Sequence, residues 1–257
     1  MTSGAERVTA RRGVAVVTGG SRGIGAATAA ELAENGWDVC LSYRADDAAA
    51  AEVLARCEAA GARAVAVRAD VSAAADVTAL FTAADRLGPV TVLVNNAGIV
   101  DRKARVDEMS PERLERMFAV NVVGAFLCAG AALRRMSTRH GGQGGAIVNV
   151  SSAAARLGSP GEYVDYAASK GAVDTMTVGL AREVAAEGVR VNAVRPGIID
   201  TEIHASGGQP DRVARVGPAI PLGRAGTAAE VAAAILWFCL PDASYATGAL
   251  LDLSGGR

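Results

Sequence analysis

The chain has 257 residues, 51% of them hydrophobic and 21% charged, with a formal net charge of −1. That excludes a disordered chain, which needs low hydrophobicity and high net charge. It also argues against nucleic acid as the main partner, because no basic excess exists to neutralise phosphates. The four cysteines (Cys40, Cys57, Cys128, Cys239) show no metal-ligand spacing, and two histidines, His140 and His204, exclude a multi-histidine metal site.

Residues 1–12 are polar and lack the apolar core of a signal peptide, so they read as a flexible N-terminal tail ahead of one domain over 13–257. No run approaches the roughly 20 apolar residues of a membrane span, and the expected location is cytoplasmic, without a membrane partner. Val14 to Thr18 is a β-branched run ending at Gly19-Gly20, followed by a helical pattern from Ile24 to Glu34 that Asn35-Gly36 terminates. Strand Asp38 to Tyr43, helix Asp46 to Ala60 and strand Ala64 to Arg68 come next. Helix Ser72 to Leu87, with Ser72 as its expected N-cap, leads to strand Val90 to Val94. Ser110-Pro111 opens a long helix to Met136, with proline at its first position. Strand Ala146 to Val150, helix Val164 to Ala186, strand Val189 to Val194, helix Thr227 to Leu240 and strand Ala249 to Leu253 complete the order. Continuous Val/Ile/Leu runs separated by helices predict right-handed crossovers and a parallel sheet buried on both faces. The fold class is therefore α/β: a single Rossmann-type, doubly wound domain with a seven-stranded parallel sheet flanked by helices. The irregular segments Val100 to Met109 and Glu202 to Gly226 follow strand carboxyl ends, where ligands of such sheets sit.

Gly19, Ser21, Arg22, Gly23, Ile24 and Gly25 lie between the first strand and first helix. Backbone N–H groups there face an anion, and glycine removes the Cβ that blocks its approach. A tight turn without a ligand is the alternative. The second strand ends in Ser42-Tyr43-Arg44 with no acid for a ribose 2′-hydroxyl. Arg44 with Arg22 suits a 2′-phosphate, which favours NADP(H) over NAD(H), unless Arg44 is only a solvated cation. Asp46 and Asp47 read as helix N-terminal residues. Asp70-Val71 ends the third strand, where the carboxylate either accepts from an adenine amino group or caps a turn. Asn96, Ala97 and Gly98 end the fourth with small side chains that admit a nucleoside.

Tyr166 and Lys170 are four apart on a helix and share a face. A phenol is a poor base at neutral pH, and an adjacent cation stabilises its phenolate. Of 26 cationic residues only Lys103 and Lys170 are lysine, so retention of lysine at 170 supports a role for its compact ammonium. A bare YxxxK pair is also common on structural helices. Ser151-Ser152 ends the fifth strand at the same edge. Asn121, among Val120, Val122 and Val123, is either part of a water relay or a structural amide at a helix irregularity.

With Thr18-Gly19-x-x-x-Gly23-Ile24-Gly25, Asn95-Asn96-Ala97-Gly98, Asn121, Ser152, Tyr166-x-x-x-Lys170 and Arg195-Pro196-Gly197 with Thr201, the chain resembles the short-chain dehydrogenase/reductase family from about Gly13 to Gly256. Members of this size include 3-oxoacyl-carrier-protein reductases, glucose 1-dehydrogenase-like enzymes, and polyketide or steroid ketoreductases. The resemblance implies an NAD(P)-dependent enzyme acting on a CH–OH group, with NADPH-dependent reduction of a small ketone or aldehyde, or the reverse, as the expected reaction. Tyr166 is then the proton donor or acceptor, and Ser152 polarises the substrate oxygen. Lys170 holds the nicotinamide ribose and lowers the Tyr166 pKa, and Asn121 anchors a water. Pro196, Gly197, Ile199 and Thr201 hold the carboxamide. It also implies a homotetramer pairing the Ser110 to Met136 and Val164 to Ala186 helices. Ser152 and Tyr166 are one residue further apart than the family's usual spacing, an excess the 156–165 loop absorbs; Ser151 is the alternative serine. The alternative function is a catalytically silent dinucleotide-sensing protein on the same fold. Asp101-Arg102-Lys103, Tyr163 and the Glu202 to Gly217 segment are expected to line the substrate pocket. His204 is either a substrate contact or a surface residue. Arg102, Lys103 and Arg105 are the only candidates for a carrier-protein docking patch.

Overall fold

A computed structural model of the chain describes residues 12–257. The expected N-terminal tail, Arg12 apart, lies outside the described residues, as do the His204 and Ser206 side chains. Seven parallel strands form one sheet in the order β3-β2-β1-β4-β5-β6-β7. They are β1 (Val14–Val17), β2 (Asp38–Tyr43), β3 (Ala64–Arg68), β4 (Val90–Asn95), β5 (Gly145–Val150), β6 (Val189–Pro196) and β7 (Leu250–Leu253). Every residue of β1 is buried, as expected for an apolar run covered on both faces. The chain moves outward from β1 to β3, then returns to the other side of β1 for β4. That reversal opens a crevice at the carboxyl ends of β1 and β4.

One core cluster joins Leu32, Trp37, Leu41 and Val53 to Val231, Ile235 and Phe238, so α1 (Gly23–Glu34), α2 (Asp47–Ala59) and the Ala228–Cys239 helix cover one face. The other packs Leu80, Phe81, Met136 and Met176 against Leu93 of β4 and Ile147 of β5, so α3 (Ala74–Leu87), the long helix after β4 and α7 (Val164–Val184) cover the opposite face. That long helix is α4 (Pro111–Phe118), a π-helical stretch Ala119–Val123 and α5 (Gly124–Met136). Ser110 accepts from the Arg113 N–H at its start, with Pro111 in the first position. Pro111–Met136 is also long and apolar enough to cross a membrane by length and composition, which corrects the expectation that no segment reaches that size. Here Cys128, Ala129, Ala132 and Met136 pack into the core, an apolar side that sheet burial itself requires. A short helix α6 (Ala154–Leu157) precedes α7 (Val164–Val184).

Two expectations differ in detail. Ser72 does not cap α3: the helix starts at Ala74, while the Ser72 hydroxyl donates to Asp70 Oδ1 at 2.6 Å. The Asp76 carboxylate, inside the first turn, accepts from the Asp70 N–H instead. The segment after β6 is not wholly irregular; it holds α8 (Ile203–Ser206) and α9 (Arg212–Val216) before α10 (Ala228–Cys239). Thr227 and Glu230 form a reciprocal capping box at the start of α10.

Candidate active site

The glycine loop rises from β1 into α1. Gly19 and Gly23 take positive φ, +61° and +53°. A Cβ on Gly25 would lie 2.3 Å from the Gly19 carbonyl oxygen and 2.5 Å from Asn96 Nδ2, so no side chain fits there. α1 has no side-chain cap and no acid in its first turn, which leaves its N-terminal amides directed at an anion site. Thr18, part of the motif but not expected to act, organises the loop: its Oγ1 accepts from the Asn96 and Ala97 N–H groups, both at 3.0 Å. Asn96 Nδ2 donates to the Thr18 and Gly19 carbonyls, each at 2.9 Å. The Ser42 hydroxyl, equally unexpected, accepts from the Gly19 N–H at 3.1 Å. Short polar side chains at strand ends were the available signal for both.

A cavity of about 390 Å³ runs beside this loop, and its lining includes Gly19, Ser21, Arg22, Gly23, Ile24, Arg44, Asp70, Val71, Asn96, Ala97, Gly98 and Thr201. Arg44 pairs with Asp70 at 2.6 Å across it. Asp70 also accepts from the Ser72 N–H and hydroxyl, so the turn role is realised while the carboxylate lines the cavity. Burial opposes, but the Ser72 bonds and Arg44 hold the Asp70 carboxyl below its ordinary value. Asp46 caps α2 by accepting from the Ala49 N–H. Asp47 takes the Tyr43 hydroxyl at 2.7 Å and Arg68.

An adjoining cavity of about 510 Å³ shares Ile24, Asn96, Gly98 and Thr201 with the first and is lined by Ser152, Tyr166, Lys170, Pro196, Gly197 and Ile199. All three expected chemical groups of the sheet edge thus meet one space. Lys170 Nζ donates to the Val150 carbonyl at 2.8 Å and lies 5.7 Å from the Tyr166 ring centre. Burial pulls the Lys170 ammonium down to about 8, with Asp174 opposing. Burial also pushes the Tyr166 phenol above its ordinary value, against a hydrogen bond with Ser152. The expected depression of Tyr166 by Lys170 is not realised: burial raises the phenol, and the Ser152 hydrogen bond is what opposes it. The Ser152 Oγ accepts from the Ala154 N–H at 3.1 Å, whereas the Ser151 hydroxyl donates to the Lys170 carbonyl, which separates the two serines by role. The extra residue before Tyr166 is taken up by turns with positive φ at Gly158, Ser159 and Gly161.

Asn121 lines neither cavity and is buried in the π-helical stretch. Its Oδ1 accepts from the Ile99 N–H at 2.8 Å, and its Nδ2 donates to the Ile99 carbonyl at 3.0 Å and Ser169 Oγ at 3.1 Å. The structural role at a helix irregularity is realised. A Cβ on Gly98 would meet both Asn121 Oδ1 and Lys170 Nζ at 3.4 Å, so the amide and the ammonium flank the same glycine.

Among the expected pocket residues, Tyr163, Ile203, Arg212 and Val216 line the larger cavity. Asp101, Arg102 and Lys103 do not: Asp101 pairs with Arg116, and Lys103 with Glu162. Lys103 and Arg105 each face an acid, Glu162 and Asp107, so they do not form an unopposed basic patch.

The glycine cradle, the uncapped helix end and the adjoining cavities together fit a dinucleotide. A family model described as enoyl-(acyl carrier protein) reductase matches residues 19–257. The uncharacterized oxidoreductase YgfF of Escherichia coli (strain K12) is 55% identical over 95% of this chain and 99% of its own. A blue fluorescent protein from a metagenomic library, solved in complex with NADPH, superposes with a TM-score of 0.86 at 37% identity, covering 96% of this chain and 98% of that one. The 3-ketoacyl-(acyl-carrier-protein) reductase of Brucella melitensis, complexed with NADH, gives a TM-score of 0.88 at 34% identity, again over 96% and 98%.

Proposed function

Because the chain belongs to the short-chain dehydrogenase/reductase family of oxidoreductases, we propose that it is an NADPH-dependent reductase of a small ketone or aldehyde, reversible to alcohol oxidation. One observation carries the reading: Ser152, Tyr166 and Lys170 line a single cavity that adjoins the glycine-loop cavity. When bound, NADPH supplies the hydride. Gly19, Gly23, Gly25 and the N-terminal amides of α1 hold its pyrophosphate. Arg22 and Arg44 take the 2′-phosphate, with Arg44 exchanging its exposed and therefore weak pairing with Asp70 for a doubly charged acceptor. Asp70 and Val71 border the adenine, Asn96 to Gly98 the adenosine side. Pro196, Gly197, Ile199 and Thr201 hold the carboxamide.

Ser152 donates to the substrate carbonyl oxygen and fixes its distance from Tyr166. Tyr166 gives that oxygen its proton as negative charge develops there. A phenol held above its ordinary value is fully protonated at neutral pH, the form the reducing direction needs. Lys170 keeps a donor beside the nicotinamide ribose and stabilises the phenolate left behind; Asn121 fixes the backbone of Ile99 beside it and anchors a water in the route of reprotonation.

The cofactor preference is tested by oxidation of NADPH and NADH against a panel of aldehydes and ketones, with Arg44→Ala beside the wild-type protein. The expected result is turnover with NADPH exceeding that with NADH. Arg44→Ala then raises the KM for NADPH about tenfold, as for loss of one charge-assisted phosphate contact, and leaves the KM for NADH nearly unchanged. Equal use of the two cofactors, or an equal effect of the substitution on both, overturns the NADPH assignment.

A further inference from the structure

The larger cavity is mostly apolar away from its Ser152–Tyr166 end, with Val100, Leu157, Ile198 and Val216 in its wall. A second polar element interrupts that wall from α9. Arg212 lines the cavity with a side chain only 12% exposed. Its guanidinium stacks on Tyr163, 5.4 Å from the ring centre, and one terminal nitrogen donates to Glu162 Oε2 at 2.9 Å. The other terminal nitrogen, Nη1, is buried with no hydrogen-bond partner among the described residues. Arginine has five N–H donors and stays charged, so this half of the fork is desolvated and unsatisfied.

The carboxylate that holds Arg212 is itself shared. Glu162 gives its second oxygen, Oε1, to Lys103, so two cations share one carboxylate. The nearby acids are already paired: Asp165 with Arg113, Asp101 with Arg116, and Asp211 with Arg215. The fork is also held in place, because Tyr163 and Gln209 are buried, bonded to each other, and Gln209 Oε1 accepts from Arg215. A fixed, dehydrated guanidinium that shares its only carboxylate partner among the described residues with Lys103, and has one terminal nitrogen unsatisfied, favours a planar anion.

Resting on the reductase reading above, we propose that Arg212 receives a carboxylate carried by the substrate at a distance from its carbonyl, so that oxo acids and the corresponding hydroxy acids are the preferred substrate class. The carbonyl is reduced at the Ser152–Tyr166 end while the carboxylate is chemically unchanged. The apolar wall between them accepts the methylene chain. A neutral ketone fills the same wall but leaves Nη1 unsatisfied.

The test compares levulinate with its methyl ester under NADPH, in the wild-type protein and in Arg212→Met and Arg212→Lys. The ratio of kcat/KM for the acid to that for the ester is independent of how much of each variant is folded. The wild-type protein should favour the acid by about tenfold or more, with Arg212→Met lowering the ratio by at least about tenfold and Arg212→Lys restoring part of it. A wild-type preference for the ester, or an unchanged ratio in Arg212→Met, overturns the anion site. Calorimetric titration of hexanoate, which cannot be reduced, into the NADPH-saturated protein separates the two claims. Hexanoate binding weakened by Arg212→Met without turnover of either ketone sustains the anion site and counts against the reductase reading. Absence of hexanoate binding to the wild-type protein overturns the anion site whatever the turnover.

Discussion

At the residue scale the site is governed by desolvation. Lys170 is 5% exposed, and burial holds its ammonium near 8 instead of the ordinary 10.5. Below about pH 8 folded and unfolded chains both carry the proton, and the fold bears the full cost of the buried charge. Between about 8 and 10.5 the unfolded chain binds more protons, so this residue makes stability rise with pH. Tyr166, raised by burial, acts in the opposite sense only above the ordinary phenol value of 10. Urea unfolding from pH 8 to 10 should therefore show the wild-type protein gaining on Lys170→Met by up to about 1.4 kcal/mol per pH unit. A difference that stays flat over that interval contradicts the assignment. Tyr166, Lys170 and Ser152 were legible in the sequence because spacing and strand ends locate them. The direction of the tyrosine shift was not, since it depends on how deeply the fold buries the phenol. The Glu202 to Gly217 segment was legible as pocket wall, but the pairing of Arg212 with Glu162 was not: nothing in one dimension pairs a residue after β6 with one before α7.

At the element scale, alternating apolar runs and helix caps were enough to place the seven strands and the six main helices within a few residues. Periodicity alone does not reveal the π-helical stretch Ala119–Val123, since one inserted residue leaves it almost unchanged; the amide of Asn121 among valines was the signal of an irregularity there. Its physical cause is Asn121, which turns inward to bond both the N–H and the carbonyl of Ile99 and so ties the helix to the loop after β4. Asn121→Ala removes these partners and leaves the Ile99 amide unpaired. The expected loss is about 2–3 kcal/mol of unfolding free energy, read by chemical denaturation, together with a lower kcat. Loss of kcat with unchanged stability would assign Asn121 to the proton route alone. The Ser72 cap is lost to a competition of the same local kind: Asp70 takes the serine hydroxyl, Asp76 turns back to the Asp70 N–H, and α3 starts without a side-chain cap.

At the scale of the whole molecule, the sheet order brings the glycine loop, Ser152, Tyr166 and Lys170 together at one edge, and the helix faces remote from it are unevenly covered. Leu114, Phe118, Val123 and Phe126 leave 36%, 38%, 47% and 54% of their surface exposed along α4 and α5. An apolar stripe of this kind fits helix pairing between copies, and the homotetramer that the family resemblance implies predicts a mass by light scattering near four times 25.9 kDa. Phe126→Glu should shift that mass downward; a monomer mass for the wild-type protein contradicts the proposal. The central claim is that this fold brings Tyr166 to a carbonyl beside bound NADPH. Its most direct test is NADPH oxidation with the best carbonyl of the panel by wild-type and Tyr166→Phe proteins, with NADPH affinity measured in parallel by fluorescence. The substitution should lower kcat/KM by about a hundredfold or more and leave NADPH affinity within a few-fold of the wild-type value. Unaltered turnover in Tyr166→Phe, or tight NADPH binding with no turnover by the wild-type protein across the panel, would contradict it; the second outcome is that of a dinucleotide sensor.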